Sequence, residues 1–405
     1  MTRPPFVLQM SSSKPWHATS ATELQREFKG ARFLIAPGHF DYFGGAERQA
    51  VLLAECLVKE YACHVDFLGW GGDGVLADEI RAVGCHPFVF PLDTRQRGLG
   101  FLHRLYQLSR YIRNDIRPQY LLPFVGMHCK IIGAIWRRTG AKFTWWNQRD
   151  EGRMVYGTRR EHYLMRSLPA IVSNSWEGRD FLIKKFDLPE HRVRVINNGI
   201  VIPETQSQTS WGTVADIGPN EIVFTMVANL SGFKDHRTLL HAFALLRKTE
   251  IGSRCRLVLA GRFDEMTQEL KALAFDLGLW GGVHFPGSLR VHEVGSLLSR
   301  TDVVVHSSVK EGCPNGALEA MAHGLCVLGT DISGMRQALG NEVAVHCLAP
   351  PGDSNRLAEL MFAMASSPER RDEFGRKNLS RIRSDFSVQQ MTHAVLETVL
   401  EHRIA

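Results

Sequence analysis

The sequence predicts an α/β protein made of two successive Rossmann-like domains, and three observations carry this prediction. Short apolar runs alternate with helix-period stretches along most of the chain, a pattern typical of parallel strands covered by helices. The segment 203–221 is rich in Gln, Ser, Thr, Gly and Pro and interrupts the alternation, as a linker does. The alternation then restarts, and 405 residues are enough for two or three domains.

The first half of the chain supplies the elements of one domain, which we expect over residues 30–200. Residues 1–29 contain Ser, Thr and Pro without clear periodicity, so we expect a loosely ordered extension there. Apolar runs of strand length occur at 32–36, 65–68, 88–92, 120–124, 142–146, 170–173 and 193–196. Helix-period stretches lie between them, near 46–58, 75–83, 101–114, 127–138 and 176–186.

The second half repeats the pattern, and we expect a second domain over residues 201–385. Its apolar runs of strand length are 222–227, 256–259, 283–285, 303–306, 326–328 and 343–347, with helical stretches between them. The end of the chain is mostly helical in pattern. We expect residues 386–405 to form a C-terminal helix that packs back on the first domain.

Composition excludes several classes of protein. Apolar residues make up 44% and charged residues 22% of the chain, which is typical of a globular protein and not of a disordered or fibrous one. No run approaches the roughly 18–20 apolar residues of a spanning helix, and the N-terminal residues lack the pattern of a secretory signal. The eight cysteines form no C-x-x-C and no zinc spacing, which favours free thiols in a reducing compartment. We therefore expect a cytoplasmic protein.

The net charge of +6 is concentrated in the first half of the chain. Residues 1–200 hold 28 Lys and Arg against 19 Asp and Glu, whereas residues 201–405 hold 20 against 23. Thirteen basic and four acidic residues lie within 104–166. This is either a solvated surface or one that meets an anionic partner, such as acidic lipid or a phosphorylated substrate. The stretch lacks the aromatic interleaving of single-strand binders, so we expect no nucleic acid.

The segment 302–331 is the strongest candidate for a functional site. A predicted buried strand ends at His306, and after a loop a helix begins that Asn315 could cap. Ligands bind at the carboxyl ends of parallel strands, and the amides of a helix N-terminus suit a phosphate. Glu311 and Glu319 could accept hydrogen bonds from hydroxyls on either side of a diphosphate, as in a nucleotide sugar. Their spacing alone favours a surface loop acid at Glu311 and an ordinary helix residue at Glu319.

The run from Glu311 to Glu319, EGCPNGALE, resembles the E-x7-E signature of the retaining glycosyltransferases of family 4, the group 1 type. Other segments resemble the same family in order along the chain, namely 44–47, 172–175, 193–200, 224–230, 234–236, 257–261 and 283–287. The resemblance implies the GT-B fold, in which the parallel sheets of two Rossmann-like domains face each other across an inter-domain cleft. It makes the first domain the acceptor domain and the second the nucleotide-sugar donor domain.

The resemblance also implies a role for each matching residue. Glu319 would hold the ribose hydroxyls of the donor, and Glu311 would contact the sugar. Lys234 would neutralise the departing diphosphate, and the loop Gly44–Gly45 would approach that diphosphate from the other domain. Backbone amides would hold sugar hydroxyls and phosphate; they belong to Gly312, Cys313, Asn315 and Gly316.

The sequence departs from the family at an arginine that usually precedes the lysine. Asn229 stands in that stretch, followed by a leucine and a serine. We expect Arg149, after a first-domain strand, to supply the missing cation, with Arg262 as the second candidate. A histidine that many members carry after a first-domain strand is replaced here by Asn147 or Gln148.

The implied activity is transfer of a sugar to an acceptor hydroxyl with retained anomeric configuration, in bacterial surface polysaccharide or glycolipid assembly. The chain contains no D-x-D and no metal-ligand spacing, so we expect no metal and no cofactor besides the nucleotide diphosphate sugar as co-substrate. The acceptor would be a saccharide or a lipid-linked saccharide, and the basic half would meet the inner face of an anionic membrane.

Three alternatives remain open. The loop Gly69–Gly74 is a formal G-x-G-x-x-G, which on its own favours an NAD-dependent oxidoreductase. A sugar-nucleotide epimerase of similar fold would consume the donor without an acceptor. The departure at Asn229 also allows a non-catalytic protein that binds nucleotide sugars.

Overall fold

The computed structural model describes residues 19–149, 152, 154–203, 217–218 and 220–404. In these residues the chain forms two parallel sheets, one in each half, with helices packed on both faces. The predicted α/β class with two Rossmann-like domains is confirmed. Residues 1–18 of the predicted extension and most of the predicted linker 203–221 lie outside the described residues.

The first sheet has the strand order β3-β2-β1-β4-β5-β6-β7. Its strands are β1 (Arg32–Gly38), β2 (His64–Gly69), β3 (His86–Val89), β4 (Tyr120–Pro123), β5 (Phe143–Gln148), β6 (Ala170–Ser173) and β7 (Val193–Val195). Its helices are α1 (Ala21–Phe28), α2 (Gly45–Tyr61), α3 (Val75–Ala82), α4 (Gly98–Tyr111), α5 (Met127–Ala134), α6 (Arg159–Ser167) and α7 (Trp176–Phe186). The strand order reverses between β1 and β4, which opens a crevice at their carboxyl ends.

The second sheet has the order β10-β9-β8-β11-β12-β13 and reverses between β8 and β11. Its strands are β8 (Ile222–Val227), β9 (Cys255–Ala260), β10 (Val283–Gly287), β11 (Val303–His306), β12 (Cys326–Thr330) and β13 (Leu348–Ala349). The helices are α8 (His236–Arg247), α9 (Thr267–Asp276), α10 (Val291–Arg300), α11 (Asn315–Ala322), α12 (Ser333–Cys347), α13 (Ser354–Ala365), α14 (Pro368–Arg381) and α15 (Val388–Ile404). Each sheet therefore has its own switch point.

The prediction of a loosely ordered extension over 1–29 is wrong for its last part. Helix α1 occupies Ala21–Phe28, and the Ser20 side chain caps it by accepting a hydrogen bond from the Glu23 amide. Leu24 and Phe28 are fully buried in the core of the first domain. Two apolar residues four positions apart were enough to dock one short helix, but too few to stand out as a periodic pattern.

Two further elements differ from the prediction. The run 343–347, predicted as a strand, is the end of α12, and the strand β13 follows it. Val343, Ala344 and Cys347 are buried at helical spacing, and a short apolar run fits a helix as well as a strand. Helix α6 was not predicted, although Thr158 and Glu161 form a capping box at its start.

The last helix returns to the first domain. The chain leaves that domain at Ile200 and passes back beside it at Phe386, where the Ile200 amide donates to the Phe386 carbonyl. Helix α15 then packs on α2 and buries apolar side chains in the first-domain core; these are Val388, Met391, Val395, Leu396 and Val399. Among the helices of the described residues, none has both the length and the apolar character needed to cross a membrane.

Candidate functional site

A cavity of about 890 Å³ lies between the two domains, where the carboxyl ends of both sheets meet. Its walls come from loops after strands of the first domain and from loops after β8, β9 and β11 of the second. The predicted site residues that line it are Gly44, Gly45, Arg149, Asn229, Lys234, Arg262, Glu311, Cys313, Asn315, Gly316 and Glu319. Gly312 is outside this lining, and its carbonyl oxygen lies close to Gly334.

The carboxylate of Glu311 is held by a cluster of polar side chains. Glu311 Oε1 accepts a hydrogen bond from Ser308 Oγ at 2.9 Å and lies 3.2 Å from His306 Nε2. The Lys234 ammonium forms an ion pair with the same oxygen. Burial opposes ionisation, but Lys234 and the hydrogen bond from His306 outweigh it and hold the pKa of Glu311 well below its usual range. The carboxylate is therefore charged, with its position fixed.

The switch point of the second sheet explains why these residues meet. Lys234 ends the 3₁₀ turn Gly232–Lys234 after β8, and His306 ends β11, which neighbours β8 in the sheet. Burial lowers the pKa of His306, so its ring is neutral at pH 7. A neutral ring facing a carboxylate carries its proton on Nε2 and donates it there.

Glu319 is paired with a residue of the other domain. It lies one turn inside α11, and its Oε1 is 2.5 Å from Nη1 of Arg48 on α2. Burial raises the pKa of Glu319, and Arg48 opposes that rise. The ion pair spans the inter-domain cavity, because both residues line it.

The start of α11 faces the cavity with its amides uncapped by a side chain. Pro314, not Asn315, occupies the cap position and offers no side-chain hydrogen bond, which corrects the predicted cap. The Asn315 side chain instead accepts a hydrogen bond from Asn198 Nδ2 of the first domain at 2.7 Å. Gly316 is required because a Cβ there would lie 2.4 Å from the Val227 carbonyl oxygen. The helix N-terminus thus offers donors to an anion in the cavity.

The Arg149 guanidinium is an unusual group in the cavity wall. Its Nη1 donates to Asn198 Oδ1 at 2.6 Å, while Nε and Nη2 are buried and have no hydrogen-bond partner in the described part of the chain. Burial lowers the pKa of Arg149 to about 10, so the group stays charged at pH 7. A buried cation with unused donors is costly unless an anion completes it.

Arg262 and Asn229 are placed differently. Arg262 already has a carboxylate partner, since its Nη2 lies 3.0 Å from Asp264 Oδ2, and its side chain is about half exposed. Its guanidinium lies 5.8 Å from the ring centre of Tyr42 in the first domain. Asn229 Oδ1 accepts from the Arg262 amide, so Asn229 braces that loop. Of the two candidate arginines, Arg149 has the free capacity for an anion.

Sequence reasoning missed three residues that organise the site, namely Arg48, Asn198 and His306. Arg48 directly follows the glycine loop and its glutamate, and that proximity was the one available signal. Asn198 lies in the segment 193–200 that resembles the family, but no role was predicted for it, and it contacts both Arg149 and Asn315. Asn147 lies in β5, and its side-chain amide donates to the Pro123 carbonyl. It therefore stabilises the sheet and is not part of the cavity lining.

The loop Gly69–Gly74 has a packing explanation. A Cβ at Gly69 would lie 2.8 Å from the Phe40 ring, and one at Gly74 would lie 2.5 Å from the Phe40 carbonyl oxygen. Both glycines let the loop pass over Phe40. These contacts account for the motif without a dinucleotide.

The basic stretch 104–166 does not form one face. Arg149 lines the inter-domain cavity, and Arg160 turns inward to donate to the Thr94 carbonyl. Arg137 and Arg138 are exposed beyond the end of α5, while Lys142 precedes β5. These basic residues lie apart because the chain runs from one end of the sheet to the other between consecutive parallel strands. Contact of the basic half with an anionic membrane stays a prediction. In the ranges that the structure describes, no group of three or more His, Cys, Asp or Glu is placed to hold a metal ion.

Two family models match most of the chain. Residues 207–381 match the family described as Glycosyl transferases group 1, and residues 43–202 match Glycosyltransferase Family 4. The Bacillus subtilis protein EpsF, a glycosyltransferase by name, is 26% identical over an alignment of 375 residues that covers 87% of this chain and 92% of the relative. An uncharacterized glycosyltransferase of Methanocaldococcus jannaschii is 30% identical over an alignment of 328 residues that covers 74% of this chain and 80% of the relative.

Solved structures share the fold at low sequence identity. Anabaena Alr3699/HepE in complex with UDP and glucose has a TM-score of 0.73 and 18% identity, covering 91% of this chain and 99% of that one. A glycosyltransferase from Rickettsia africae has a TM-score of 0.76 and 15% identity, covering 93% and 99%. None of these comparisons favours an oxidoreductase.

Proposed function

The chain belongs to the group 1 glycosyltransferases of family 4 and has their GT-B fold. From this premise we propose the class of sugar donor that it uses and the way in which it transfers the sugar. It transfers a sugar from a nucleotide diphosphate sugar to an acceptor hydroxyl with retention of the anomeric configuration. Retention is what family membership leads us to expect. The observation that supports this class of sugar donor is a set of cations and hydrogen-bond donors around the inter-domain cavity.

Those donors match a diphosphate. The Arg149 guanidinium contributes two buried nitrogens without partners from the first domain, Nε and Nη2, and Lys234 contributes a cation from the second. The uncapped amides of α11 open into the same cavity. A diphosphate carries several negatively charged oxygens, which would pair with Arg149 and the α11 amides and share Lys234 with Glu311. Solved relatives of the same fold contain UDP or UDP-glucose, which supports this class of donor.

Two carboxylates flank that anion site and would bind hydroxyl groups. Glu319 would accept from the ribose hydroxyls, sharing its charge with Arg48. Glu311 is ionised, rigidly held and lines the cavity, so it would accept from the transferred sugar and stabilise positive charge on it. Gly44 and Gly45 would bring the first-domain backbone close to the diphosphate.

The reaction then depends on orientation and charge. The bond between the anomeric carbon and the diphosphate oxygen breaks, a bond to the acceptor oxygen forms, and the proton of the acceptor hydroxyl passes to the departing diphosphate. Arg149 and Lys234 offset the charge that develops on the departing diphosphate. These groups need no metal to do so. The acceptor is a saccharide or lipid-linked saccharide bound by the first domain, in assembly of surface polysaccharide or glycolipid on the cytoplasmic side of the membrane.

Thermal shift with a panel of nucleotide sugars tests this proposal. A ligand at 100 times its Kd stabilises the folded state by about 2.7 kcal/mol, which is a clear shift in Tm. We expect stabilisation by at least one nucleotide sugar and by its nucleoside diphosphate, both weakened by Arg149→Met. With a nucleotide sugar that stabilises the protein, analysis of the reaction products distinguishes sugar transfer to an acceptor from epimerisation of the sugar nucleotide. Stabilisation by NADH and by no sugar nucleotide would overturn the proposal.

A further inference from the structure

Helix α4 leaves an apolar stripe uncovered on its outer face. Leu99 is 85% exposed, Leu102 58% and Tyr106 51%. Their spacing of three and four residues places them on one side of a helix. Phe101 and Leu108 on the other side are buried in the first-domain core. Large side chains exposed in a row usually mark a contact surface.

Cations surround this stripe. The sequence of α4 contains no Asp or Glu, and Arg97 directly precedes it. Arg110 and Arg113 are exposed further along, with the Arg110 guanidinium 6.0 Å from the centre of the Tyr106 ring. Within the described ranges, none of these three arginines forms an ion pair with a carboxylate. Nη1 of Arg97 donates to three backbone carbonyls of the preceding loop, which do not offset its charge. The nearby acids are Asp93, which pairs with Arg95, and Asp115 after the helix.

We propose that α4 lies flat on an anionic lipid surface. Leu99, Leu102 and Tyr106 enter the boundary between headgroups and acyl chains, and the flanking arginines contact lipid phosphates. An apolar stripe rimmed by unpaired cations is the pattern of an interfacial helix. The occupant is lipid because the helix itself carries basic and no acidic side chains, which an anionic leaflet complements.

The same helix forms one wall of a second cavity. This cavity of about 860 Å³ is lined by Gly100, His103, Arg104 and Gln107 on α4, and by Trp70 and His128 beneath them. The indole Nε1 of Trp70 is buried there without a hydrogen-bond partner in the described residues. Docking of α4 would bring this cavity to the lipid surface. On the proposed function, the acceptor that binds in this cavity is amphiphilic, with an oxygen-rich polar head. Docking itself does not depend on that function.

Vesicle flotation with the full-length protein tests the docking. We expect binding to vesicles of phosphatidylcholine with phosphatidylglycerol, little binding to phosphatidylcholine alone, and weaker but measurable binding at high salt. A cation near an anionic leaflet contributes about 1 kcal/mol, so Arg110→Gln with Arg113→Gln should weaken binding about 30-fold. Leu99→Ser with Leu102→Ser should weaken it at low and high salt alike, since the apolar contribution is not screened.

A matched control removes exposed apolar side chains from the second domain. Phe275 and Trp280 are 66% and 77% exposed on the second domain, and Phe275→Ser with Trp280→Ser should leave vesicle binding unchanged. Unchanged Tm in each variant shows that folding is intact. Absence of wild-type binding at low salt, equal binding by all variants, or a change of oligomeric state in the leucine variant alone would overturn the proposal. Vesicle binding without any response to nucleotide sugars would uphold docking and reject the proposed function.

Discussion

Arg48 of the first domain and Glu319 of the second form an ion pair across the cavity, with 2.5 Å between Nη1 and Oε1. Glu319 is also the carboxylate that we propose for the donor ribose. The approach of the two domains and the charge state of this carboxylate are therefore coupled, because burial alone would raise its pKa.

Replacing Glu319 should weaken donor binding. Glu319→Gln keeps the shape but removes the charge, and a hydrogen bond to a charged group contributes roughly 1.5–3 kcal/mol. We expect the affinity for the nucleoside diphosphate to fall about 10- to 100-fold, measured by calorimetry. Glu359→Gln, an exposed acid on α13, is the control. Unchanged affinity in Glu319→Gln would assign the pair with Arg48 a purely structural role.

Replacing Arg48 should make donor binding sensitive to acid. Without Arg48, burial acts on Glu319 unopposed and its pKa rises further. The carboxylate is the form that binds ribose, so affinity is lost as pH falls through the raised pKa. As the solution is acidified, we expect Arg48→Ala to lose donor affinity at a higher pH than the wild type does. Parallel pH profiles for the two proteins would contradict this.

The Lys234–Glu311 pair should set the pH dependence of turnover. Lys234 is the largest influence that lowers the pKa of Glu311, so Lys234→Ala leaves burial to raise it. We expect kcat to fall about 10²- to 10³-fold and an acid limb to appear in its pH profile. Lys234→Arg, which keeps the charge, should not show the limb. Glu311→Gln should lower kcat more than donor affinity, and equal small effects on both would contradict that role.

The sequence predicted the order of the helices and strands, and it predicted the site residues that lie on short motifs. Glu311 and Glu319 were found because a strand end, a loop and a helix start lie close together in the chain, and Lys234 was found because its segment resembles the family. Arg48 was missed because its contact with Glu319 joins residues 271 positions apart, and only tertiary packing brings them together. The unused donors of Arg149 were equally invisible, since burial and missing partners are properties of the folded site.

Activity should survive chelation of metals. On the proposed function, Lys234, Arg149 and the amides of α11, which line the cavity, would offset the diphosphate charge without a metal. We expect initial rates to be unchanged in saturating EDTA. Loss of activity that Mg²⁺ or Mn²⁺ restores would contradict the prediction.

The buried pair Lys130–Glu161 should contribute strongly to stability. Lys130 Nζ donates to the Met154 carbonyl at 2.7 Å, and Glu161 Oε2 accepts from the Tyr156 and Gly157 amides at 2.8 and 2.7 Å. Both side chains are fully buried, so removing one leaves an uncompensated charge. Lys130→Met should lower the free energy of unfolding by about 3–5 kcal/mol. In chemical denaturation, Lys59→Met in an exposed pair should cost less than about 1 kcal/mol; similar losses in both would refute the argument.

Arg149 should trade stability for activity. Its buried donors lack partners in the described structure, so the folded state bears a desolvated charge that Arg149→Met removes. We expect this variant to match or exceed the wild-type Tm, while kcat/KM falls about 100-fold or more because the departing diphosphate loses a cation. Arg149→Lys keeps the charge but not the planar fork, and should recover only part of the rate. Arg262→Met is the matched control, since Arg262 is half exposed and already paired with Asp264, and its kcat/KM should change less than about fivefold. A lower Tm in Arg149→Met with unchanged kcat/KM would show that Arg149 is structural, and a large loss in Arg262→Met alone would transfer the role to Arg262.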